Sequence, residues 1–183
     1  MKKVIFLSLV GLLFFACKNT KEVKAEKVEQ SPADTHTQEP EAESTMWLER
    51  AKKKLPDSLY ARIQRTACFG RCPIYTLSVY QSGYVEYLGE KWVEKEGRYA
   101  TKVDQAVLDK LMKMAKEIQF FDLKHQYDSK YVTDLPSTIT SLKEKGDFHI
   151  VVSRYEAPEK LNTFNQEFDA LFKAVEWKKI PLE

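Results

Sequence analysis

Large apolar residues are unevenly distributed along this chain, and their distribution limits where a hydrophobic core can form. Residues 18–45 contain no aromatic residue, and Val23 and Val28 are their only large aliphatic residues. A segment with this composition cannot bury enough apolar surface to offset the entropy lost on ordering. We therefore expect residues 17–45 to form a disordered tether and residues 46–183 to form a single domain.

The segment before the tether has the pattern of a removable leader. Two lysines precede an apolar run at residues 4–15, and an alanine separates this run from Cys17. This pattern is typical of a secretory signal peptide, and the apolar run is too short to span a bilayer as a helix. The segment resembles the lipobox of bacterial lipoproteins, with Phe14 in place of the usual Leu. The resemblance implies that residues 1–16 are removed and that Cys17 is acylated.

The leader also predicts where the domain is located. Export and acylation would hold the chain to a membrane through the lipid on Cys17. We expect a lipoprotein in the cell envelope of a Gram-negative bacterium, attached to the outer membrane. The residues that follow Cys17 do not indicate whether the domain faces the periplasm or the cell exterior.

The charge of the chain argues against a nucleic-acid partner. Lys2 and Lys3 belong to the leader, and without them the remaining basic residues balance the 27 acidic residues. Binding to a phosphate backbone requires a basic surface that displaces counterions. No group of consecutive lysines in the chain is longer than three residues. We therefore exclude DNA and RNA as partners.

Apolar periodicity in the domain predicts strands followed by a helix, twice. Apolar residues alternate with polar ones from Leu59, and helical spacing appears at residues 104–121 and 158–177. Asp104 is the expected N-cap of the first helix. The sequence therefore predicts an α+β fold, in which an antiparallel sheet of about five strands carries two helices on one face.

Two hairpins are predicted from the register that gathers apolar side chains on one face of the sheet. In the first hairpin the loop comprises residues 81–83, and Gly83 takes the left-handed conformation that other residues resist. In the second hairpin a loop of residues 144–146 places Leu142 opposite Phe148.

A cysteine-containing motif, C-F-G-R-C-P-I-Y, lies at residues 68–75. It resembles the C-F-G-x-C-P-x-Y motif of a family of small bacterial lipoprotein domains of unknown function. The resemblance extends from about Arg65 to Trp177, and it includes the Gly83 hairpin and the T-D-L-P segment at residues 133–136. Because no activity is assigned to that family, the resemblance implies no catalytic residue.

Cys68 and Cys72 are the two cysteines that remain after acylation of Cys17, and an oxidising compartment favours their pairing. A fully extended segment would separate their Cα atoms by about 13 Å, whereas a disulfide allows about 7 Å at most. The segment must therefore turn, and Gly70 provides the conformational freedom. We predict a structural disulfide that contributes about 2 kcal/mol.

Two other roles for these cysteines stay open. In a redox-active dithiol, Arg71 would lower the pKa of a neighbouring thiol, although redox enzymes favour two intervening residues and a following helix. In a metal site, the two thiolates would join His125 and His149, although the spacing is not that of zinc modules.

A set of aromatic, arginine and aspartate side chains forms a candidate binding patch. Aromatic residues and arginine are enriched in protein interfaces. Asp134 precedes Leu135-Pro136, where acceptance of backbone N–H bonds in a turn is the expected role and ligand binding the alternative. The candidate residues are Arg71, Tyr75, Tyr80, Tyr84, Arg98 and Asp134.

The function that these features favour is a non-enzymatic binding or scaffolding module. The sequence contains no nucleotide-binding loop, no recognisable catalytic signature and no cluster of acids for a metal, so we expect no cofactor. The expected partner is an envelope protein or peptidoglycan. The alternatives are a thiol-disulfide redox protein that uses Cys68 and Cys72, and a metal-binding domain.

Overall fold

The structure, a computed structural model, describes residues 55–56 and 58–181. These residues fall within one compact unit, Gln38–Glu183. The predicted leader, the attachment residue Cys17 and the tether lie outside the described residues. In the part of the chain that is described, no helix is long and apolar enough to cross a membrane.

The described residues form eight strands and two α-helices around a single sheet. In chain order the elements are β1 (Leu59–Arg65), β2 (Ile74–Tyr80), β3 (Tyr84–Lys91), β4 (Gly97–Lys102), α1 (Gln105–Glu117), a 3₁₀ turn (Phe120–Asp122), β5 (Gln126–Tyr127), β6 (Thr138–Glu144), β7 (Asp147–Ser153), α2 (Glu159–Lys173) and β8 (Lys178–Ile180). The strand order in the sheet is β5-β7-β6-β1-β2-β3-β4-β8. Neighbouring strands are antiparallel except for β5 and β7, which are parallel.

The predicted sheet of about five antiparallel strands is therefore wrong in strand number and in direction. The two outermost strands are very short, and two or three residues cannot display the alternation that identifies a strand. The backbone N–H of Val152 in β7 donates to the carbonyl of His125 (2.8 Å), at the entry to β5. Such a segment becomes a strand because the edge of an existing sheet supplies its partners.

The first hairpin has the predicted loop. Strands β2 and β3 are joined by residues 81–83, and Val79 lies opposite Val85. Gly83 has a φ of +78°, in the left-handed region. The prediction for this hairpin is therefore confirmed. It could be made from the sequence because the register depends on local apolar pairs and on one glycine.

The register predicted for the second hairpin is wrong by one residue. Its loop consists of Lys145 and Gly146, so Leu142 lies opposite His149 and not opposite Phe148. Both loop residues have positive φ values, +52° and +93°. Positive φ at both positions is the signature of the type I′ turn, whose twist matches that of the strands it joins.

The physical reason for this error is that β7 buries side chains on both faces. His149 and Val151 face the helices, whereas Phe148 and Ile150 pack with Leu59 in a second apolar cluster on the other side of the sheet. A prediction that gathers all apolar residues on one face therefore selects the wrong register.

Helices α1 and α2 pack on one face of the sheet. The buried residues are Leu108, Leu111 and Ala115 from α1 and Leu161, Phe164, Phe168 and Phe172 from α2. Asp104 occupies the predicted N-cap position of α1, but its side chain makes no capping hydrogen bond. Helix α2 ends at Lys173, which leaves Trp177 in the connection to β8.

Candidate functional site

A groove lies between α2 and the helix-facing side of strands β2 and β3, and it encloses about 460 Å³. We call it the aromatic groove. The lining residues on which its chemistry depends are Tyr75, Tyr87, Glu94, Lys95, Gln166, Asp169, Lys173 and Trp177.

Three aromatic rings form one wall of the aromatic groove. The ring of Tyr87 is central, with centroid distances of 5.5 Å to Tyr75 and 5.7 Å to Trp177. All three side chains are only partly buried. The indole N–H of Trp177 donates to the backbone carbonyl of Phe172 (3.3 Å), which orients the ring. The wall is therefore a partly accessible apolar surface, in which the ring of Trp177 is held in one orientation.

The elements that meet at the groove explain how these rings come together. Tyr75 and Tyr87 lie on adjacent strands on the helix-facing side, because Leu77, two residues after Tyr75, is directly opposite Tyr87. Trp177 reaches the same place because α2 ends at Lys173 and the chain turns toward β8.

A small polar network lies beside the aromatic wall. Arg65, at the end of β1, donates from Nη2 to Oδ2 of Asp169 on α2 and from Nη1 to Thr138 (2.8 Å). Tyr75 lies close enough to Arg65 and Asp169 for both residues to shift the pKa of its phenol. The network holds the carboxylate of Asp169 at the edge of the groove.

One oxygen of this carboxylate has an unmet hydrogen-bonding requirement. Oδ1 of Asp169 is buried and has no hydrogen-bond partner among the described residues. A buried acceptor without a donor costs about 1–3 kcal/mol, so native structures contain few of them. Asp169 lines the groove, but Oδ1 is shielded from it, so a ligand donates to this oxygen only after the side chain moves.

The two groove tyrosines hold their protons tightly. Burial raises the pKa of Tyr75 above its usual value, and the charge of Asp169 adds to this shift. Burial also raises the pKa of Tyr87 to about 12, with further contributions from Asp169, Tyr99 and Glu94. Both phenols are therefore neutral at physiological pH, where they offer ring surface and hydroxyl groups but no charge.

The charges along the groove are balanced. Glu94 and Lys95 lie in the β3–β4 connection, and Asp169 and Lys173 lie on α2. Each element thus contributes one acidic and one basic side chain. This arrangement produces no strong field of either sign to attract an ionic ligand.

Gly89 allows the β3–β4 connection to pack closely against β3 beside the groove. A Cβ atom at this position would collide with the backbone carbonyl oxygen of Lys95. Because glycine has no Cβ, the connection can fold back onto β3 and carry Glu94 and Lys95 to the rim.

The candidate binding residues chosen from the sequence do not form one patch. Tyr75 lies in the aromatic groove, whereas Tyr80, Tyr84 and Arg98 lie on the opposite face of the sheet. The rings of Tyr80 and Tyr84 are 5.7 Å apart, and Arg98 forms an ion pair with Glu86 (3.1 Å). These three residues share one face of the sheet, and the recognition patch stays a prediction.

Arg71 and Asp134 lie in the loops at one end of the sheet. The guanidinium of Arg71 stacks over the ring of Trp92, 5.0 Å from its centroid. The backbone carbonyl of Asp134 accepts a hydrogen bond from the N–H of Phe69 (3.3 Å), which ties the two loops together. The predicted set is thus divided among three places.

The predicted disulfide between Cys68 and Cys72 is present, with a Cα–Cα distance of 5.8 Å. The bond lies in the β1–β2 connection, and a strand follows it where redox motifs typically open a helix.

Both thiols are used by the bond, so they are not free to bind a metal. The imidazole rings of His125 and His149 stack on each other, with their centroids 4.4 Å apart. Within residues 55–56 and 58–181, no group of three or more His, Cys, Asp or Glu side chains could hold a metal ion.

Most of the aromatic groove was missed by sequence reasoning. Of its lining residues, Tyr75 alone is among the candidate binding residues that the sequence indicates, and Tyr87, Gln166, Asp169 and Trp177 are not. These residues come from segments separated by up to ninety positions in the chain. No local spacing joins them, so a single sequence carries no signal that could have identified the set.

The comparisons with known proteins identify a domain family without an assigned activity. Residues 60–172 match the family model described as a domain of unknown function, DUF6438. The matched region includes the disulfide and most of the aromatic groove, and it ends before Trp177 and β8. No curated protein matches the chain.

Proposed function

We propose that this chain, which belongs to the DUF6438 family of unknown function, is a lipid-anchored binding module of the cell envelope whose ligand occupies the aromatic groove. The observation that carries the proposal is the groove itself, where partly exposed aromatic rings adjoin a carboxylate with an unmet acceptor. Ligand sites are typically concave and mostly apolar, with a few polar groups that orient the ligand.

The side chains of the groove are better suited to binding than to catalysis. Acid-base catalysis at neutral pH requires a group whose pKa lies near the working pH. The pKa values of Tyr75 and Tyr87 are raised well above that range, and Asp169 forms an ion pair with Arg65. These groups can stack against a ligand and form hydrogen bonds with it.

The leader supports attachment to the envelope. The apolar run before Cys17 resembles the lipobox of bacterial lipoproteins, and residues 18–45 have the composition of a flexible spacer. A lipid on Cys17 would hold the domain at the outer membrane, facing either the periplasm or the exterior. The ligand would then be another envelope component, such as a protein or peptidoglycan.

We expect Cys17→Ser to abolish lipid attachment, because acylation requires the thiol and amine of this cysteine. The wild-type chain should incorporate radioactive palmitate in growing cells and partition into the detergent phase of Triton X-114. The variant should be unlabelled and should remain in the aqueous phase. The double variant Cys68→Ser, Cys72→Ser is the matched control, and it should be labelled like the wild type. Label in the Cys17→Ser variant would refute the anchor.

We expect a photo-cross-linker in the groove to capture the ligand in intact cells. Gln166 is exposed on α2 and lines the groove, so Gln166→p-benzoylphenylalanine places the reactive group within reach of an occupant. Irradiation should produce covalent adducts, visible as a mass shift of the protein. Gln126, exposed on β5 and outside the groove, is the control position. No adduct at position 166, or the same adducts at both positions, would refute the groove as the ligand site.

A further inference from the structure

We infer that the aromatic groove binds a neutral saccharide, an inference that rests on the groove being the ligand site proposed above. Three properties of the groove support this class of ligand: the aromatic wall, the polar groups beside it and the balance of charge.

The aromatic wall matches the apolar face of a sugar ring. A pyranose presents C–H groups on one face and hydroxyl groups around its edge. The faces of aromatic rings carry negative charge density, which attracts polarised C–H groups. The rings of Tyr87 and Trp177 are inclined at 50° to each other and those of Tyr75 and Tyr87 at 32°. They therefore form a bent wall against which a sugar ring can pack.

The polar groups at the groove match the hydroxyl edge of a sugar. The side chain of Asp169 is 28% exposed and offers acceptors, and its Oδ1 lacks a donor. The exposed amide of Gln166 offers both donors and an acceptor. A sugar hydroxyl can donate to the carboxylate and accept from the amide. Oδ1 itself is buried, so a sugar hydroxyl reaches it only when the Asp169 side chain rotates away from Arg65.

The charge of the groove disfavours ionic ligands. A quaternary ammonium bound over the aromatic rings would meet Lys95 and Lys173, whose repulsion offsets the attraction of Glu94 and Asp169. An anion in the groove would meet the carboxylates of Glu94 and Asp169, which offset the attraction of the two lysines. A neutral, hydroxylated ligand avoids both forms of repulsion.

The inference is tested by calorimetric titration of the full chain with chitobiose, cellobiose and maltose as neutral probes and with choline as a cationic one. At least one disaccharide should bind, and choline should not. Gln166→Ala and Asp169→Asn should each weaken the binding by about tenfold or more. The first removes a hydrogen bond to the sugar, and the second replaces a charged acceptor by a neutral amide, whose hydrogen bonds are weaker. Gln126→Ala, the same replacement at an exposed position outside the groove, should leave the affinity unchanged.

Gln166 is exposed, so its variant should fold even if Asp169→Asn does not. Sugar binding that survives both groove variants would place the sugar elsewhere and overturn the inference. Cross-linked adducts at position 166 together with no binding of any disaccharide would overturn the inference that the ligand is a saccharide. Adducts together with binding of choline would do the same. In both cases the proposed function of the groove as a ligand site would stand. The absence of both adducts and sugar binding would refute both the proposed binding function and the saccharide inference.

Discussion

We expect Phe168→Ala to lower the free energy of unfolding by about 3–5 kcal/mol, the usual cost of removing a buried phenylalanine ring. Phe168 is fully buried on the face of α2 that packs on the sheet. Its ring lies between those of Phe164 (6.1 Å) and Phe172 (5.8 Å). Truncation would leave a cavity in the middle of this row, and the surrounding rings could close it only in part.

Urea unfolding followed by circular dichroism measures this loss. A domain of this size has about 5–15 kcal/mol of stability in total, so the variant should unfold at a much lower urea concentration. Phe168→Leu is the matched control, since it keeps most of the apolar volume and should cost clearly less. A loss below about 1 kcal/mol for Phe168→Ala would show that α2 does not pack on the sheet as described.

We expect Gly83→Ala to lower the free energy of unfolding by about 2–5 kcal/mol, from two contributions. The first is strain, because Gly83 has a φ of +78° that residues with a Cβ resist. The second is a collision, because the added Cβ would overlap the backbone carbonyl oxygen of Val103. The two segments cannot easily separate, since the N–H of Val103 donates to the carbonyl of Gly83 (2.9 Å).

Gly146→Ala separates the two contributions. Gly146 also has a positive φ, +93°, but no atom lies within 4 Å of the position that a Cβ would take. Its replacement should therefore cost only the strain, about 1–2 kcal/mol. Thermal and urea unfolding of both variants gives the difference. Equal losses in the two variants would mean that the first hairpin does not contact the chain before α1.

Helix α2 connects the core to the aromatic groove. Phe168 packs in the core, Phe172 contributes to both the core and the groove, and Gln166, Asp169 and Lys173 line the groove. The position of the groove residues therefore depends on the packing of the phenylalanine row.

Local features of the sequence were sufficient for several elements. The pairing of Val79 with Val85, the left-handed Gly83 and the close approach of Cys68 to Cys72 were all predicted correctly. Each depends on residues near one another in the chain, so apolar spacing and backbone sterics identify it.

Other elements depend on partners that distant segments supply. The register of β7 follows from a second apolar cluster that includes Leu59, and the parallel strand β5 exists because β7 offers it an edge. Likewise Arg65 approaches Asp169 only when β1 and α2 are in contact. Periodicity reports which side chains are apolar, but not which of two faces will be covered or what covers it.

The amino-acid order alone was enough to predict the turn-forming glycine at position 83, the disulfide between Cys68 and Cys72 and the two amphipathic helices, because these depend on short stretches of chain. Only the tertiary structure decided the number of strands, the parallel pairing of β5 with β7 and the position of the aromatic groove. Their energies come from contacts between residues far apart in the chain, and no spacing along one sequence encodes such contacts.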